Sequence, residues 1–318
     1  MENQQDNAAI EAFKEVLQLD PGYLGAEANI GLALSNLDKH DQALEYFRNA
    51  YEKFPNNATI LVSFGNSLIR NNKPHLAIEL VGSYLKAHPY NVTACSFMAH
   101  ALNEIDDEHL VAELHDFDSF LFKTNAAYSS AIKNADAFNK QCAKYVLKHP
   151  SLVNATTSVT TIKGQQTSEL GTDPGSPIRE LKKFIEEAFT EYAQLNLDGS
   201  RFPWAGCSFS DFSLNIWGCA LDRGGHQDPH IHPNAWVSGV FYPQLPDIIG
   251  QNPHDNAGYI EFGRTEKRYF QSNEPRTRLI KPELGMLILF PSYFSHATIP
   301  FDSNQKRISI AFDLCPIG

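Results

Sequence analysis

The amino-acid sequence predicts an α+β protein in which an all-α helical-repeat solenoid precedes an antiparallel β-barrel or jelly roll with supporting helices. Three observations predict it. A 34-residue period runs through the first third: Pro21, Pro55 and Pro89 share it, as do Ala9, Ala43 and Ala77, and Leu34, Leu68 and Leu102. From about Phe202 the texture becomes short β-branched and aromatic runs between Gly, Pro and Asn turns. Between these regions, residues 116–150 and 178–195 carry helical periodicity.

Each repeat reads as a pair of helices. Proline ends a helix because it lacks the N–H and its ring clashes with the preceding turn. Gly31 and Gly65, with Ala99 in the third copy, are small enough to let paired helices approach closely. The period and its Ala…Phe…Pro pattern resemble tetratricopeptide repeats over about residues 8–115. The resemblance implies either a surface for a protein or peptide partner or a structural arm. The first helix, expected over 9–19, has the character of the second member of a pair, so the native arm is longer or this end is atypical.

The expected organisation is 1–115 helical repeats, 116–150 a helical connector, and 151–318 the β domain. In the connector the apolar positions are Phe117, Phe120, Leu121, Phe138, Cys142 and Val146. The β-branched run TTSVTTI predicts a strand over 156–162, and GTDPGSP predicts a loop over 171–177. Residues 178–195 place Leu181, Phe184, Ile185, Phe189 and Tyr192 on one stripe of a helix. Further strands are expected at 213–221, 236–243, 258–262, 277–280, 286–290 and 307–314.

Composition narrows the function. Hydrophobic residues make up 42% of the 318, an ordinary globular share. No run approaches the roughly 18 apolar residues of a membrane span. The first residues lack the basic and apolar regions of a secretory signal. The formal net charge of −11 argues against broad contact with nucleic-acid phosphates. Five scattered cysteines without a CxxC pair read as reduced thiols of a cytoplasmic protein.

Histidine carries the chemistry. The run from Gly225 to Pro233 holds His226, Asp228, His230 and His232, and His296 follows after the apolar run MLILF. Residues two apart on an extended segment point to one side, so such a pair can offer two ligands to one metal. A distant histidine on a neighbouring strand completes a three-ligand face, which suits a non-heme iron site. His230 and His296 are expected as ligands, with His232 or Asp228 as the third. Arg307 lies on the apolar strand 307–314, where a buried cation needs an anion, and Ser309 points to the same side.

These residues resemble the double-stranded β-helix (cupin-like) 2-oxoglutarate oxygenases, and more closely a bacterial and phage group of 2-oxoglutarate–iron(II) oxygenases. The pattern H-x-H-P…S-G-x-x-Y matches His230, His232, Pro233, Ser238, Gly239 and Tyr242. The pattern F-P-S…H…P…R-x-S-x-A-F matches Phe290, Pro291, Ser292, His296, Pro300 and Arg307 through Phe312. The resemblance implies Fe(II) as cofactor and 2-oxoglutarate as cosubstrate, with Arg307 and Ser309 on its distal carboxylate. It implies a dioxygenase, a hydroxylase of a protein, peptide or small-molecule substrate. The alternatives are a repeat-based adaptor whose barrel holds metal without turnover, and a three-histidine dioxygenase that needs no cosubstrate.

Overall fold

Prolines placed 34 residues apart fix where the repeat helices stop. In the computed structural model, which describes residues 2–155, 160–171, 176–195, 203–252 and 254–317, the helices α1 (Glu2–Leu19), α3 (His40–Lys53) and α5 (Pro74–Ala87) each end two residues before one of them. Their partners are α2 (Ala26–Asn36), α4 (Ala58–Arg70) and α6 (Val92–Asn103), followed by the short α7 (Glu108–Leu114). The turns after α2, α4 and α6 keep the period: Asp38, Asn72 and Asp106 all sit at φ 55–58°. Asp and Asn tolerate this left-handed conformation better than other residues with a Cβ. The period also fixes helix starts, because Asn57 accepts from Thr59 and Ile60 N–H, and Asn91 accepts from Ala94 N–H. The small-residue column has a steric cause: a Cβ on Gly65 would stand 2.5 Å from the Phe97 ring.

The chain divides into two units, one of Met1–Leu114 with Arg268–Pro275 and one of His115–Lys267 with Arg276–Gly318. The second unit is a curled antiparallel sheet with helices against it. Its helices are α8 (Phe117–Phe120), α9 (Ala135–Lys148) and α10 (Ile178–Leu195). Its strands are β1 (Phe122–Asn125), β2 (Val153–Asn154), β3 (Thr161–Gln166), β4 (Phe212–His230), β5 (Val237–Gln244), β6 (Ile260–Phe262), β7 (Arg278–Ile280), β8 (Met286–Pro291), β9 (His296–Thr298) and β10 (Arg307–Pro316). The order is β1-β8-β5-β10-β4-β9-β6-β7, with β3 also on β4 and β2 on β3.

The long strand β4 joins the two halves of the sheet. Its first part pairs with β10 from Phe212 to Leu221, and its end pairs with β9 at Gln227 and His230. The change of partner follows Gly224 and Gly225. Gly224 has φ 72°, and a Cβ on Gly225 would meet the carbonyl oxygens of Asp222 and Lys163 at 2.7 Å. Only glycine fits there, so the sequence GGHQDPH bends the strand and carries its histidines into the second half of the sheet.

Strand β10 alternates strictly. Ile308, Ile310, Phe312 and Leu314 are fully buried in the apolar core, while Arg307, Ser309, Ala311 and Asp313 line a cavity on the other face. The helix α9 lies against the core side, where Val146 fills the space that a Cβ on Gly218 would need.

Several expectations shift in detail. The stretch 116–150 is not all helical: β1 pairs with β8 through Phe122↔Leu289 to Asn125↔Met286. Its apolar spacing arises from packing, since Phe117, Phe120, Phe138, Cys142 and Val146 all enter the core of the second unit. Of the strand expected over 156–162, residues 156–159 lie outside the described residues, and β3 runs Thr161–Gln166. Residues 172–175 of the expected loop also lie outside them. The first helix begins at Glu2 instead of residue 9. Among the described residues, no helix is long and apolar enough to cross a membrane.

Candidate metal centre

Strand register places the first two histidines. His230, the last residue of β4, is the cross-strand partner of His296, the first of β9, and their ring centroids are 4.3 Å apart. His232 follows in the turn after β4, whose backbone is held to the end of β8: His232 N–H donates to Ser292 O at 3.2 Å, and Ser292 N–H donates to Trp236 O. The His232 ring stacks against Trp217 at 5.6 Å. One ligand-capable atom from each of His230, His232 and His296 lies within 4.8 Å of the others.

The outer nitrogen of each ring is committed. His230 Nδ1 donates to the Asp228 carbonyl at 2.7 Å and His296 Nδ1 to the Phe294 carbonyl at 3.0 Å. His232 Nδ1 lies 2.8 Å and 2.9 Å from the two oxygens of Asp313. Carbonyl and carboxylate oxygens only accept, so Nδ1 carries the proton and Nε2 of a neutral ring keeps its lone pair. Burial supports the neutral state: together with the neighbouring His232 it holds His230 down to about 4. His296, fully enclosed and beside both other rings, lies well below the usual histidine range. His232 Nε2 is buried with no hydrogen-bond partner among the described residues. Three imidazoles that each bring a ligand-capable nitrogen to one place fit a first-row divalent ion such as Fe(II).

The carboxylate behind His232 belongs to a longer chain of hydrogen bonds. Ser238 Oγ donates to Asp313 Oδ1 at 2.7 Å, so its own oxygen accepts from Ser292 Oγ at 2.8 Å. Such outer partners fix a ligating imidazole's tautomer and orientation. Asp313 is missing from the expected site, although its parity on β10 with Arg307 and Ser309 is readable in the sequence.

Asp228 stands apart from this group. It forms an ion pair with Lys267 at 2.7 Å and lies 3.6 Å from His226 Nε2. The geometry thus gathers His232 with His230 and His296, and leaves His226 and Asp228 outside the group.

The histidines open onto a cavity of about 320 Å³ that Arg307 and Ser309 also line. Arg307 is 1% exposed, and its guanidinium carbon lies 5.0 Å from the centre of the Tyr242 ring. Burial pulls its pKa below the ordinary arginine range, partly offset by Tyr242 and Cys219. Among the described residues no acidic side chain pairs with it, and its Nε has no hydrogen-bond partner. The cavity therefore combines three lone-pair donors with a buried cation suited to a carboxylate.

Residues 215–313 match the family model described as "Putative 2OG-Fe(II) oxygenase". The second unit carries the sequence pattern of the 2-oxoglutarate–iron(II) oxygenases. Residues 28–57 match the tetratricopeptide repeat, so the oxygenase pattern follows a repeat region in one chain. No curated protein matches the chain. Among solved structures, the chain is similar to a Pseudomonas putida prolyl-4-hydroxylase, at 16% identity and TM-score 0.42, over 64% of this chain and 96% of that one. It is similar to a Trichoplax adhaerens prolyl hydroxylase in complex with a hypoxia inducible factor peptide fragment, at 14% identity and TM-score 0.43, over 62% and 84%. A mutant Thermobaculum terrenum O-GlcNAc transferase matches at 24% identity and TM-score 0.29, over 32% of this chain and 19% of that one.

Proposed function

We propose that the chain is a 2-oxoglutarate- and iron(II)-dependent dioxygenase, a hydroxylase of a protein, peptide or small-molecule substrate. The observation that carries this reading is the sharing of one cavity by three histidines, whose ligand-capable nitrogens lie within 4.8 Å of one another, and a buried arginine without an acidic partner among the described residues. His230, His232 and His296 would hold the metal, and Arg307 with Ser309 would hold the distal carboxylate of 2-oxoglutarate. When bound, the iron supplies oxygen activation, coupling decarboxylation of 2-oxoglutarate to succinate with oxidation of a C–H bond.

The protein's own residues orient and insulate. Asp313 keeps His232 in the Nδ1–H tautomer, and the Asp228 and Phe294 carbonyls do the same for His230 and His296. Phe290 packs edge-on against His296 at 4.7 Å, so one side of the site is apolar. In such surroundings a charge-assisted pair between Arg307 and a carboxylate is strengthened. A repeat region in the same chain favours a protein or peptide substrate over a free metabolite.

The experiment is succinate release from 2-oxoglutarate by the iron-loaded chain against a panel of peptides and metabolites. Release that needs Fe(II), oxygen and one class of substrate supports the reading. Metal and 2-oxoglutarate binding without succinate formation from any substrate would favour an adaptor with a non-catalytic metal-binding barrel.

A further inference from the structure

Strands β6 and β7 are antiparallel neighbours, with Phe262 opposite Arg278. Two to five residues close such a hairpin, yet residues 263–277 intervene. The middle of this connection, Arg268–Pro275, belongs to the repeat unit. A connection this long in a compact domain has a use of its own.

The segment is held through its main chain, as a bound peptide is held. Asn66 on α4 takes both polar groups of its main chain: the amide nitrogen Nδ2 donates to Arg268 O at 3.4 Å, and Oδ1 accepts from Phe270 N–H at 2.8 Å. Glu104, directly after α6, accepts from the Ser272 N–H at 2.9 Å and from the Ser272 hydroxyl. Asn273 donates to Asn103 O and to Asp106, both at 3.1 Å.

Side chains add selectivity. Tyr269 is buried in the repeat core, stacked on His100 at 5.4 Å and edge-on to Phe97 at 5.1 Å. The Arg70 guanidinium lies 5.1 Å from the centre of the Phe270 ring. The wall that holds Tyr269 is built by the period itself, since Gly65 is what lets the Phe97 ring lie against α4.

We propose that the α4–α6 face of the repeats is a peptide-recognition site, held by the chain's own Arg268–Pro275. In trans it takes a peptide of the same pattern: basic, aromatic, aromatic, any residue, hydroxyl, amide. Main-chain recognition by Asn66 and Glu104 is independent of which chain supplies the peptide. The aromatic pocket and the acidic cluster of Glu104 and Asp106 set the preference. A tethered segment competes at an effective concentration on the order of millimolar, so a foreign peptide enters readily only when the internal segment is released. This inference stands on the repeat unit alone and does not depend on the oxygenase reading.

The test is fluorescence anisotropy of a labelled synthetic peptide of residues 267–276, KRYFQSNEPR, titrated with the full chain. Two variants release the site: Tyr269→Ala, and a chain in which residues 268–275 are replaced by Gly and Ser at equal length. Circular dichroism and cooperative melting establish that each is folded. Both are expected to bind the peptide about tenfold or more tightly than the wild type. Asn66→Ala added to either should weaken binding about fivefold, and a scrambled peptide should not bind. Equal affinity for wild type and variants, or no binding by folded variants, overturns the proposal. Should the replaced chain not melt cooperatively, Tyr269→Ala decides alone.

Discussion

Asp313 Oδ2 accepts a hydrogen bond from His232 Nδ1 at 2.9 Å, across a sequence separation of 81 residues. The carboxylate thereby sets which nitrogen of His232 faces the cavity. Removing it should cost metal affinity without removing a ligand. Asp313→Ala is expected to weaken Mn(II) or Fe(II) binding by about 10–100-fold, the range for outer partners of ligating histidines. Asp313→Asn, which keeps an acceptor, should lose less. Competition with a fluorescent chelator measures this, and unchanged affinity in Asp313→Ala would remove the positioning role.

The bend in β4 predicts a contrast between two glycines. Ala at Gly225 would bring its Cβ to 2.7 Å from two backbone oxygens, which cannot swing away. Gly225→Ala should therefore destabilise the second unit by about 1–3 kcal/mol, the scale of an overpacked site, and lower metal occupancy by displacing His230. A Cβ on Gly171 would meet nothing within 4 Å, so Gly171→Ala should change stability by less than about 0.5 kcal/mol. Urea unfolding with metal analysis distinguishes them. Equal stability of the two variants would refute the steric reading of the bend.

Acid should weaken the fold through buried histidines outside the metal group. His115 is packed between the Phe117 and Phe294 rings, and burial, aided by the Arg276 charge, lowers its pKa to about 4. Between the unfolded value near 6.5 and the folded value near 4 the unfolded chain binds the extra proton, so stability falls as pH falls through this window. This contribution is fully present above about pH 6.5. At pH 5 one such group has lost about 2 kcal/mol. Urea unfolding at pH 7 and pH 5 should show a larger loss for wild type than for His115→Gln. Parallel losses in the two chains would place the acid sensitivity elsewhere.

Much of this architecture is legible in the sequence where its cause is local. The repeat is readable because one proline, one left-handed Asp or Asn and one small residue recur at each turn of the period. Strands β8 and β10 are readable because unbroken burial or alternation runs for six residues or more. The grouping of His230, His232 and His296 is readable because two lie two positions apart and the third follows a buried strand. What is missing has long-range causes. Strand β9 is three residues long, too short to show a period, and it exists through its pairing with β4 and β6. Strand β1 is four residues paired to β8, inside a stretch whose apolar spacing imitates a helix. The segment Arg268–Pro275 reads as an ordinary loop, because the residues that hold it, Asn66 and Glu104, lie more than 160 positions away.

The most direct measurement is calorimetric titration of 2-oxoglutarate into the Mn(II)-loaded chain without oxygen, in wild type, Arg307→Ala, Arg307→Lys and His296→Ala. One-to-one binding is expected in the wild type. Arg307→Ala should keep its metal and lose roughly 2–4 kcal/mol of 2-oxoglutarate affinity, the scale for truncating one partner of a buried charge pair. Lysine should restore only part, because it lacks the planar fork. His296→Ala should lose the metal, and the 2-oxoglutarate binding with it. Unchanged 2-oxoglutarate affinity in Arg307→Ala, or full metal occupancy in His296→Ala, would contradict a single cavity that binds iron at the histidines and 2-oxoglutarate at the arginine.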